Sequence, residues 1–304
     1  MKIIRGLRGN IPQQVIRLGL KCNAKCLFCN VPPDSGEPAG FELAARAIYR
    51  AGAVAGGGRV SISGGEPTLY PELARLIAYA RKQGVEVELQ TNGLRLARRK
   101  DVEALVSAGL THAFVSLHSH IPRIHDFLTG VPGSFAACAS AIGNFVGCGV
   151  QTALNPVLTT ANFGGLADYV RFVRRSLGVR AISLSVVQPR GWAFKNLALV
   201  PDYRALNVPV RAGLRAGLKE GVIIRNPICG LPLCVGSWYK YPGQCMEYSL
   251  GKLGLPFSAI KVKAPACVKC AAGAYCAGVW QEYAQARGFD ALKPIAKKEF
   301  NCGA

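Results

Sequence analysis

Three cysteines lie close together near the start of the chain, in the stretch LKCNAKCLFCN that follows the apolar run VIRLGL. They are Cys22, Cys26 and Cys29. Thiolates bind zinc and iron–sulfur clusters, and thiols also pair as disulfides. A structural zinc site needs four ligands, usually two paired cysteine motifs, and no histidine lies near these three. Three thiolates instead suit three corners of a [4Fe–4S] cube, which leaves the fourth iron open to a substrate or cofactor.

A second group of cysteines lies far along the chain. Seven of the twelve cysteines fall between residues 229 and 302, and Cys267, Cys270 and Cys276 among them form the pattern C-x2-C-x5-C. A paired motif with a fourth ligand suits tetrahedral zinc, and the spacing alone leaves zinc and iron–sulfur equally open. This uneven distribution predicts two separate metal centres.

The segments that must position these cysteines alternate between two kinds. Short β-rich runs cover residues 14–20, 59–65, 85–93, 112–119, 150–159 and 181–189. Between them, apolar residues recur at helical spacing over residues 41–55, 71–84, 97–109, 134–149 and 164–178. Such alternation implies right-handed crossovers and a parallel sheet. We therefore predict an α/β fold, a partial (β/α)6 TIM-like barrel over residues 14–220, with a small cysteine-rich C-terminal extension over residues 221–304.

Polar or special residues collect at the carboxyl end of each predicted strand, which is the edge where sites form in parallel α/β folds. They are the cysteine loop, Gly64–Pro67, Thr91–Gly93, Ser116, Asn155 and Gln188. The sequence therefore predicts one shared site at this edge. His118, His120 and His125 follow the fourth strand, where one of them is a candidate for substrate binding; helix capping or a surface contact is the alternative.

The motif C-x3-C-x-Φ-C, with Phe28 at the aromatic position, is followed by Gly64-Gly65-Glu66-Pro67 at the end of the second strand. Together they resemble the radical S-adenosylmethionine (SAM) superfamily over about residues 14–200. The resemblance implies that Cys22, Cys26 and Cys29 hold a [4Fe–4S] cluster whose fourth iron is chelated by the amine and carboxylate of SAM.

The resemblance also implies residues that contact SAM. Backbone at the two glycines would approach its ammonium group, and Glu66 would accept a hydrogen bond from it. Ser116 and Asn155 are similar to further contacts, although both types are also common turn formers. Phe28 and Val187 would pack on adenine, with the core as the alternative for Val187. The full set is Phe28, Gly64, Gly65, Glu66, Ser116, Asn155 and Val187.

The C-terminal cysteines resemble the end of a SPASM or twitch extension, which binds auxiliary [4Fe–4S] clusters. For the fourth ligand beside Cys267, Cys270 and Cys276, the resemblance favours Cys234. Its rivals are Cys229, Cys245 and Cys302. Residues 277–300 contain no cysteine, which favours the shorter twitch form with one auxiliary cluster.

The activity that the resemblance implies is reductive cleavage of SAM to a 5′-deoxyadenosyl radical, which abstracts hydrogen from a peptide or protein substrate. It further implies an external one-electron reductant of the flavodoxin or ferredoxin type. The first alternative is a small-molecule dehydrogenase or synthase of the same superfamily, acting on a sugar or in cofactor biosynthesis. A remote alternative is a zinc-containing protein that binds or modifies nucleic acid.

Bulk composition limits the class of protein. Half of the 304 residues are hydrophobic and 18% are charged, which is typical of a packed globular chain. No apolar run approaches a membrane span, and the first residues lack the apolar core of a signal peptide, so we predict a cytoplasmic protein without membrane contact. The net charge of +20 suits an acidic substrate or partner, with a solvated basic surface as the equally open alternative. The absence of a long basic run or an RNA-binding motif leaves nucleic acid unsupported.

Overall fold

The computed structural model describes residues 3–8, 11–31, 37–54 and 58–300. These residues form two compact units that are interleaved along the chain. The first unit comprises the described parts of residues 1–26, 31–155 and 177–179, and the second comprises residues 27–30 and 156–176 with the described part of 180–304.

The first unit is built on a sheet. Its strands are β1 (Ile3–Arg8), β2 (Ile11–Arg17), β3 (Arg59–Ser63), β4 (Glu86–Thr91), β5 (His112–Val115) and β6 (Gln151–Leu154). β1 and β2 pair antiparallel, and β2 to β6 then follow side by side in chain order, each parallel to the next. Parallel neighbours need a crossover, and helices supply it.

Five helices belong to the first unit. They are α1 (Phe41–Val54), α2 (Leu73–Lys82), α3 (Arg99–Ala108), α4 (Pro122–Thr129) and α5 (Ser134–Gly147). α1 packs on β2 and β3, α2 on β4, and α5 on β5 and β6. Leu76 and Ile77 of α2 and Ile62 and Leu89 of the strands are completely buried. This apolar layer between helices and strands is the core that fixes the sheet.

The second unit has shorter strands. They are β7 (Val157–Leu158), β8 (Ala181–Ser183), β9 (Ser185–Val186), β10 (Ile223–Arg225), β11 (Lys261–Val262) and β12 (Val279–Trp280). β7 pairs with β9 and β8 with β10, both parallel, whereas β11 and β12 pair antiparallel. Its helices are α6 (Leu166–Arg175), α7 (Trp192–Lys195), α8 (Tyr203–Glu220), α9 (Met246–Lys252) and α10 (Gln281–Arg287).

The predicted α/β fold and its parallel sheet are confirmed, with several differences in detail. The predicted runs 150–159 and 181–189 are each two short strands, with Asn155 and Pro156 between the first two and Leu184 between the second two. β1, α8 and β10 were not predicted. The predicted domain boundary at residue 220 stays a prediction. Among the described residues, no helix has both the length and the apolar character needed to cross a bilayer.

Candidate metal centres

The cysteine loop begins directly after β2, and neighbouring backbone holds its first half within the first unit. The Gly65 N–H donates to the Gly19 carbonyl (2.8 Å), and the Glu66 N–H donates to the Lys21 carbonyl (2.8 Å). A Cβ atom at Gly65 would lie only 2.2 Å from the Lys21 oxygen. Glycine is therefore required there by the close approach of the two chain segments.

Three further contacts hold the part of the loop that carries its first two cysteines. The Lys25 N–H donates to the carbonyl of Thr129 at the end of α4 (2.9 Å). The Cys22 sulfur accepts from the Ala24 N–H (3.4 Å) and lies 3.8 Å from the side-chain amide nitrogen of Asn92. Donors directed at a sulfur stabilise the negative charge of a thiolate ligand, so this environment fits cluster binding.

Glu66 has a different set of partners from the one the resemblance implies. Its carboxylate is buried, and it accepts hydrogen bonds from the backbone and hydroxyl of Thr68, from the Thr91 hydroxyl and from the Asn92 backbone. Burial raises the pKa of this carboxyl, and the four hydrogen bonds act in the opposite direction. The carboxylate thus ties the end of β3 to the end of β4, and a contact to the SAM ammonium stays a prediction.

Ser116 and Asn155 lie at the same edge of the sheet. Each directly follows its strand, and Val115 and Leu154, the residues before them, are paired in register. The Ser116 N–H donates to the Thr91 carbonyl (2.9 Å), and the Asn155 N–H donates to the Val115 carbonyl (2.8 Å). The structure therefore brings these two predicted residues together with the ends of β3 and β4, as expected for parallel strands.

The remainder of the cysteine loop, residues 27–30, belongs to the second unit. The Cys29 carbonyl accepts from the Trp192 N–H (2.9 Å), and the Leu27 carbonyl accepts from the Asn196 side-chain amide (3.0 Å). These bonds anchor the third cysteine through its own backbone. The thiol is left half-buried, which is compatible with a cluster ligand.

The two predicted adenine contacts are both buried. Phe28 is 7% exposed and Val187 is 1% exposed. Val187 extends β9, and its N–H donates to the Leu158 carbonyl of the adjacent strand β7 (3.0 Å). Both remain predicted SAM contacts, and a position in the core accounts equally well for the burial of Val187.

His118, which follows β5, and His125, which lies in α4, form a buried pair. Their rings stack with centroids 5.6 Å apart, and His125 Nδ1 accepts from the backbone N–H of His118 (3.1 Å). Burial lowers the pKa of His118 well below its usual value and lowers the pKa of His125 to about 4. Both imidazoles are therefore neutral at physiological pH, and His125 positions the turn before α4.

The second centre is a cavity in the second unit with four thiols in its wall. Cys234, Cys267, Cys270 and Cys276 all line it, and its empty volume is about 350 Å³, part of which is open to solvent. The predicted fourth ligand Cys234 is thus placed beside the C-x2-C-x5-C motif, and its role as a ligand stays a prediction.

The thiols of this cavity receive backbone donors. The Ile295 N–H donates to Cys270 Sγ (3.3 Å), and the Gly278 N–H donates to Cys276 Sγ (3.4 Å). Burial raises the pKa of Cys234 to about 11 and that of Cys276 to about 12. These thiols are protonated in the metal-free protein, and binding of a metal or cluster would release their protons.

Two of the rival ligands lie outside the lining of this cavity. The Cys245 thiol is buried and donates to the carbonyls of Trp238 (3.7 Å) and Tyr241 (3.4 Å). The Cys229 sulfur lies 3.1 Å from the Ser185 hydroxyl. The third rival, residue 302, falls outside the described residues.

A sequence family model decides which superfamily the chain belongs to. The model for the radical SAM superfamily matches residues 16–173, which is more than half of the chain. The chain belongs to the radical SAM superfamily. Members of this superfamily use a [4Fe–4S] cluster together with SAM, in keeping with the three-cysteine loop.

Curated relatives of this radical SAM protein are peptide cyclases. The PqqA peptide cyclase of Ruegeria pomeroyi is 28% identical over 229 residues, which cover 72% of this chain and 60% of that protein. The PqqA peptide cyclase of Methylocella silvestris is 25% identical over 237 residues, covering 72% of this chain and 61% of that one. The chain therefore spans about 60% of the length of these relatives.

Solved structures share the fold of this radical SAM chain. Native anSMEcpe with bound AdoMet and Cp18Cys peptide aligns with a TM-score of 0.64 at 15% identity, covering 94% of each chain. Streptococcus suis SuiB bound to S-adenosylmethionine aligns with a TM-score of 0.56 at 19% identity, covering 71% of this chain and 48% of SuiB.

Sequence reasoning missed several residues around the two centres. The sequence indicates Asn92 only as part of the turn at the end of a strand, although its side chain approaches the Cys22 sulfur. Glu247 was not noted at all: it forms a buried ion pair with Lys261 (2.5 Å) and accepts from the Ala277 N–H (2.8 Å). Ala277 directly follows a predicted ligand, and a charged pair on two distant segments gives no periodic signal in a sequence.

Proposed function

We propose that this protein is a radical SAM enzyme that modifies a peptide or protein substrate by hydrogen abstraction. The observation that carries the proposal is the cysteine loop itself. It starts at the carboxyl edge of the parallel sheet, and the backbone of Gly65 and Glu66 holds its first half there.

In this proposal Cys22, Cys26 and Cys29 hold the catalytic [4Fe–4S] cluster. When bound, the reduced cluster and SAM supply one-electron cleavage of the sulfonium to a 5′-deoxyadenosyl radical. Asn92 and the backbone around Ala24 direct N–H groups at the Cys22 sulfur. These donors favour the thiolate form and tune the potential of the bound cluster.

The chain's own groups at the sheet edge would orient SAM. The loops after β3, β5 and β6 present Gly64, Gly65, Ser116 and Asn155 at one edge, and Glu66 fixes the loop after β3 to the end of β4. Phe28 and Val187 would provide apolar contact to adenine. A prepositioned edge of this kind orients the cofactor for reaction with substrate.

For the second centre we propose an auxiliary [4Fe–4S] cluster held by Cys234, Cys267, Cys270 and Cys276. The placement of all four cysteines around one cavity and the N–H groups directed at Cys270 and Cys276, together with the resemblance to a SPASM or twitch extension, support a cluster over a zinc ion. Four thiolates would occupy all four irons, so we assign this cluster to electron transfer. An external reductant of the flavodoxin or ferredoxin type would supply electrons to the protein.

The peptide class rests on relatives. The curated relatives are named as cyclases of the peptide PqqA, and SuiB, which shares the fold, has been crystallised with its precursor peptide SuiA. The runner-up, a radical SAM enzyme for a small molecule, shares the first centre, and only the substrate distinguishes it. A zinc-containing nucleic-acid protein would lack SAM cleavage.

The experiment is anaerobic reconstitution with iron and sulfide, followed by dithionite and SAM. We expect about eight irons per chain, as two four-iron cubes, and release of 5′-deoxyadenosine. Cys148→Ala is the matched control, since Cys148 directly follows helix α5 and belongs to neither predicted ligand set. Stoichiometric zinc without 5′-deoxyadenosine would support the nucleic-acid alternative and refute the proposal.

A further inference from the structure

The sheet of the first unit has two unlike faces. Alternate residues of a strand point to opposite faces, and one set is buried and apolar: Ile16, Ile62, Leu89 and Val115 are all completely buried. This is the face that the helices cover. The opposite face carries polar and charged residues, so it is not built as a second apolar core.

One row across this polar face runs over four strands. Arg17 pairs in register with Ser63, and Gln90 pairs with Phe114. Ser63 and Gln90 directly follow the paired residues Ile62 and Leu89 of β3 and β4, so the four form a continuous row. All four side chains are half-buried, so solvent or a ligand has access to part of each of them, though not to the Arg17 Nε.

Arg17 is the cation of this row, and it has no ion-pair partner among the residues that the structure describes. The Arg17 Nε is buried without a hydrogen bond, and no ion pair among the described residues includes Arg17. By contrast, Arg59 on the neighbouring strand pairs with Glu86 at 3.1 Å. A buried guanidinium N–H without an acceptor is costly, so its retention indicates a ligand that is brought from outside.

The row lies close to the edge that carries the proposed chemistry. Gln90 is two residues before Asn92, and Phe114 is two residues before Ser116. Two residues of a strand span roughly 7 Å. A group bound at Arg17 would therefore lie within roughly 7 Å of the carboxyl edge of the sheet.

We propose that this row, centred on Arg17, binds the carboxylate of an acidic residue in the peptide substrate. The guanidinium fork matches a carboxylate in two parallel hydrogen bonds. The hydroxyl of Ser63 and the amide of Gln90 add donors beside it, and the ring of Phe114 provides apolar contact for the methylene stem. The proposal rests on the proposed peptide-modifying function and specifies its substrate class.

A structural role is the competing explanation for Arg17. Glu88 lies on the same face one row deeper, and its carboxylate accepts from the Ser61 hydroxyl (2.7 Å). If Arg17 only balances this charge, Arg17→Gln would destabilise the fold, Glu88→Gln would restore the melting temperature, and ligand binding would not depend on Arg17.

The test uses two blocked peptides, acetyl-Ala-Glu-Ala-amide and acetyl-Ala-Gln-Ala-amide. They are titrated by saturation-transfer NMR into the reconstituted, SAM-loaded protein without reductant. We expect the glutamyl peptide to bind at least about tenfold more tightly, in the millimolar range. Arg17→Gln should abolish this preference, and Arg17→Lys should keep part of it. Arg98→Gln is the matched control, because Arg98 is exposed and paired with Asp101, and it should keep the full preference.

Equal binding of the two peptides, no detectable binding of either, or a preference that survives Arg17→Gln would each overturn the proposal. SAM cleavage is measured separately with dithionite. Arg17→Gln should retain 5′-deoxyadenosine release within about twofold, since it alters substrate binding and not the cluster. If the wild-type protein cleaves SAM but binds the two peptides equally, only the proposed carboxylate site is rejected. If the wild-type protein does not cleave SAM, the proposed function is rejected.

Discussion

The two cysteine regions of this chain are built in opposite ways. The first places its thiols on one loop at the end of a buried strand, and backbone bonds from β3 and from the end of α4 hold that loop. The second gathers four thiols around a cavity in a segment with short 3₁₀ turns and two-residue strands. A sheet positions the first set, whereas the second set has little regular structure to hold it. We infer that the first region is preorganised and that the second depends on what it binds.

The largest effect should come from removing the first set of thiols. In the variant Cys22→Ala/Cys26→Ala/Cys29→Ala, 5′-deoxyadenosine formation should fall to background, because no other thiols of the loop remain to hold the cluster. Iron should fall from about eight to about four per chain. The melting temperature should change little if the sheet preorganises this region, and a large drop would contradict the comparison.

The second set should behave differently. Cys270→Ala should also remove about four irons, yet it should lower the melting temperature of the segment around the cavity by several degrees, because the cluster supplies part of its folding free energy. SAM cleavage should persist while substrate turnover stops. Calorimetry and iron analysis on the same sample check this, and an unchanged thermogram would show that the loops are stable without a cluster.

A third variant tests the buried Glu66 carboxylate, which holds the loop after β3 to the end of β4. Glu66→Gln replaces a buried carboxylate that accepts four hydrogen bonds. An amide places a donor where an acceptor is required, so the free energy of unfolding should fall by about 2–4 kcal/mol. Glu72→Gln is the control: Glu72 forms an exposed pair with Arg75, and we expect a change below about 1 kcal/mol. Equal effects in urea titrations would contradict the assigned role.

The smallest effect concerns pH and the stacked histidines beside α4. The pKa of His125 is lowered to about 4 by burial, so the unfolded chain binds its proton first as the pH falls below about 6.5. The contribution of neutral His125 to the free energy of unfolding is therefore fully present above pH 6.5 and is lost as the pH falls from 6.5 to 4. This contribution is about 3 kcal/mol at most. His125→Asn keeps an acceptor for the His118 N–H and should flatten this part of the profile. A profile unchanged by the substitution would reject the assignment.

The parallel α/β architecture could be predicted because the apolar spacing of each strand and helix is local. β1 was missed because its sequence IIRGLR carries charges and a glycine, and only its pairing with β2 makes it a strand. The helix α8 was missed because Pro209, Gly213 and Gly217 lie inside it. Contacts from other elements stabilise both, and no single window of the sequence contains them.

In the candidate sites, too, features set by local sequence could be predicted, whereas features set by contacts between distant segments could not. The three-cysteine loop and the placement of Ser116 and Asn155 at one edge follow from order along the chain. The partners of Glu66 depend on which strand lies beside β3. Likewise, Cys234 lines the cavity whereas the Cys245 thiol is bonded to the carbonyls of Trp238 and Tyr241. The spacing of the cysteines in the sequence does not distinguish these two environments.

The cavity with four thiols also has a consequence for how the protein is made. Only two residues separate Cys267 from Cys270, at a short 3₁₀ turn, and such closely spaced thiols oxidise readily to a disulfide. Iron delivery and exposure to oxygen therefore compete for the same sulfur atoms during biogenesis. Chains that meet oxygen first would keep an intact sheet and yet be unable to accept the second cluster until a cellular thiol reductant repaired them.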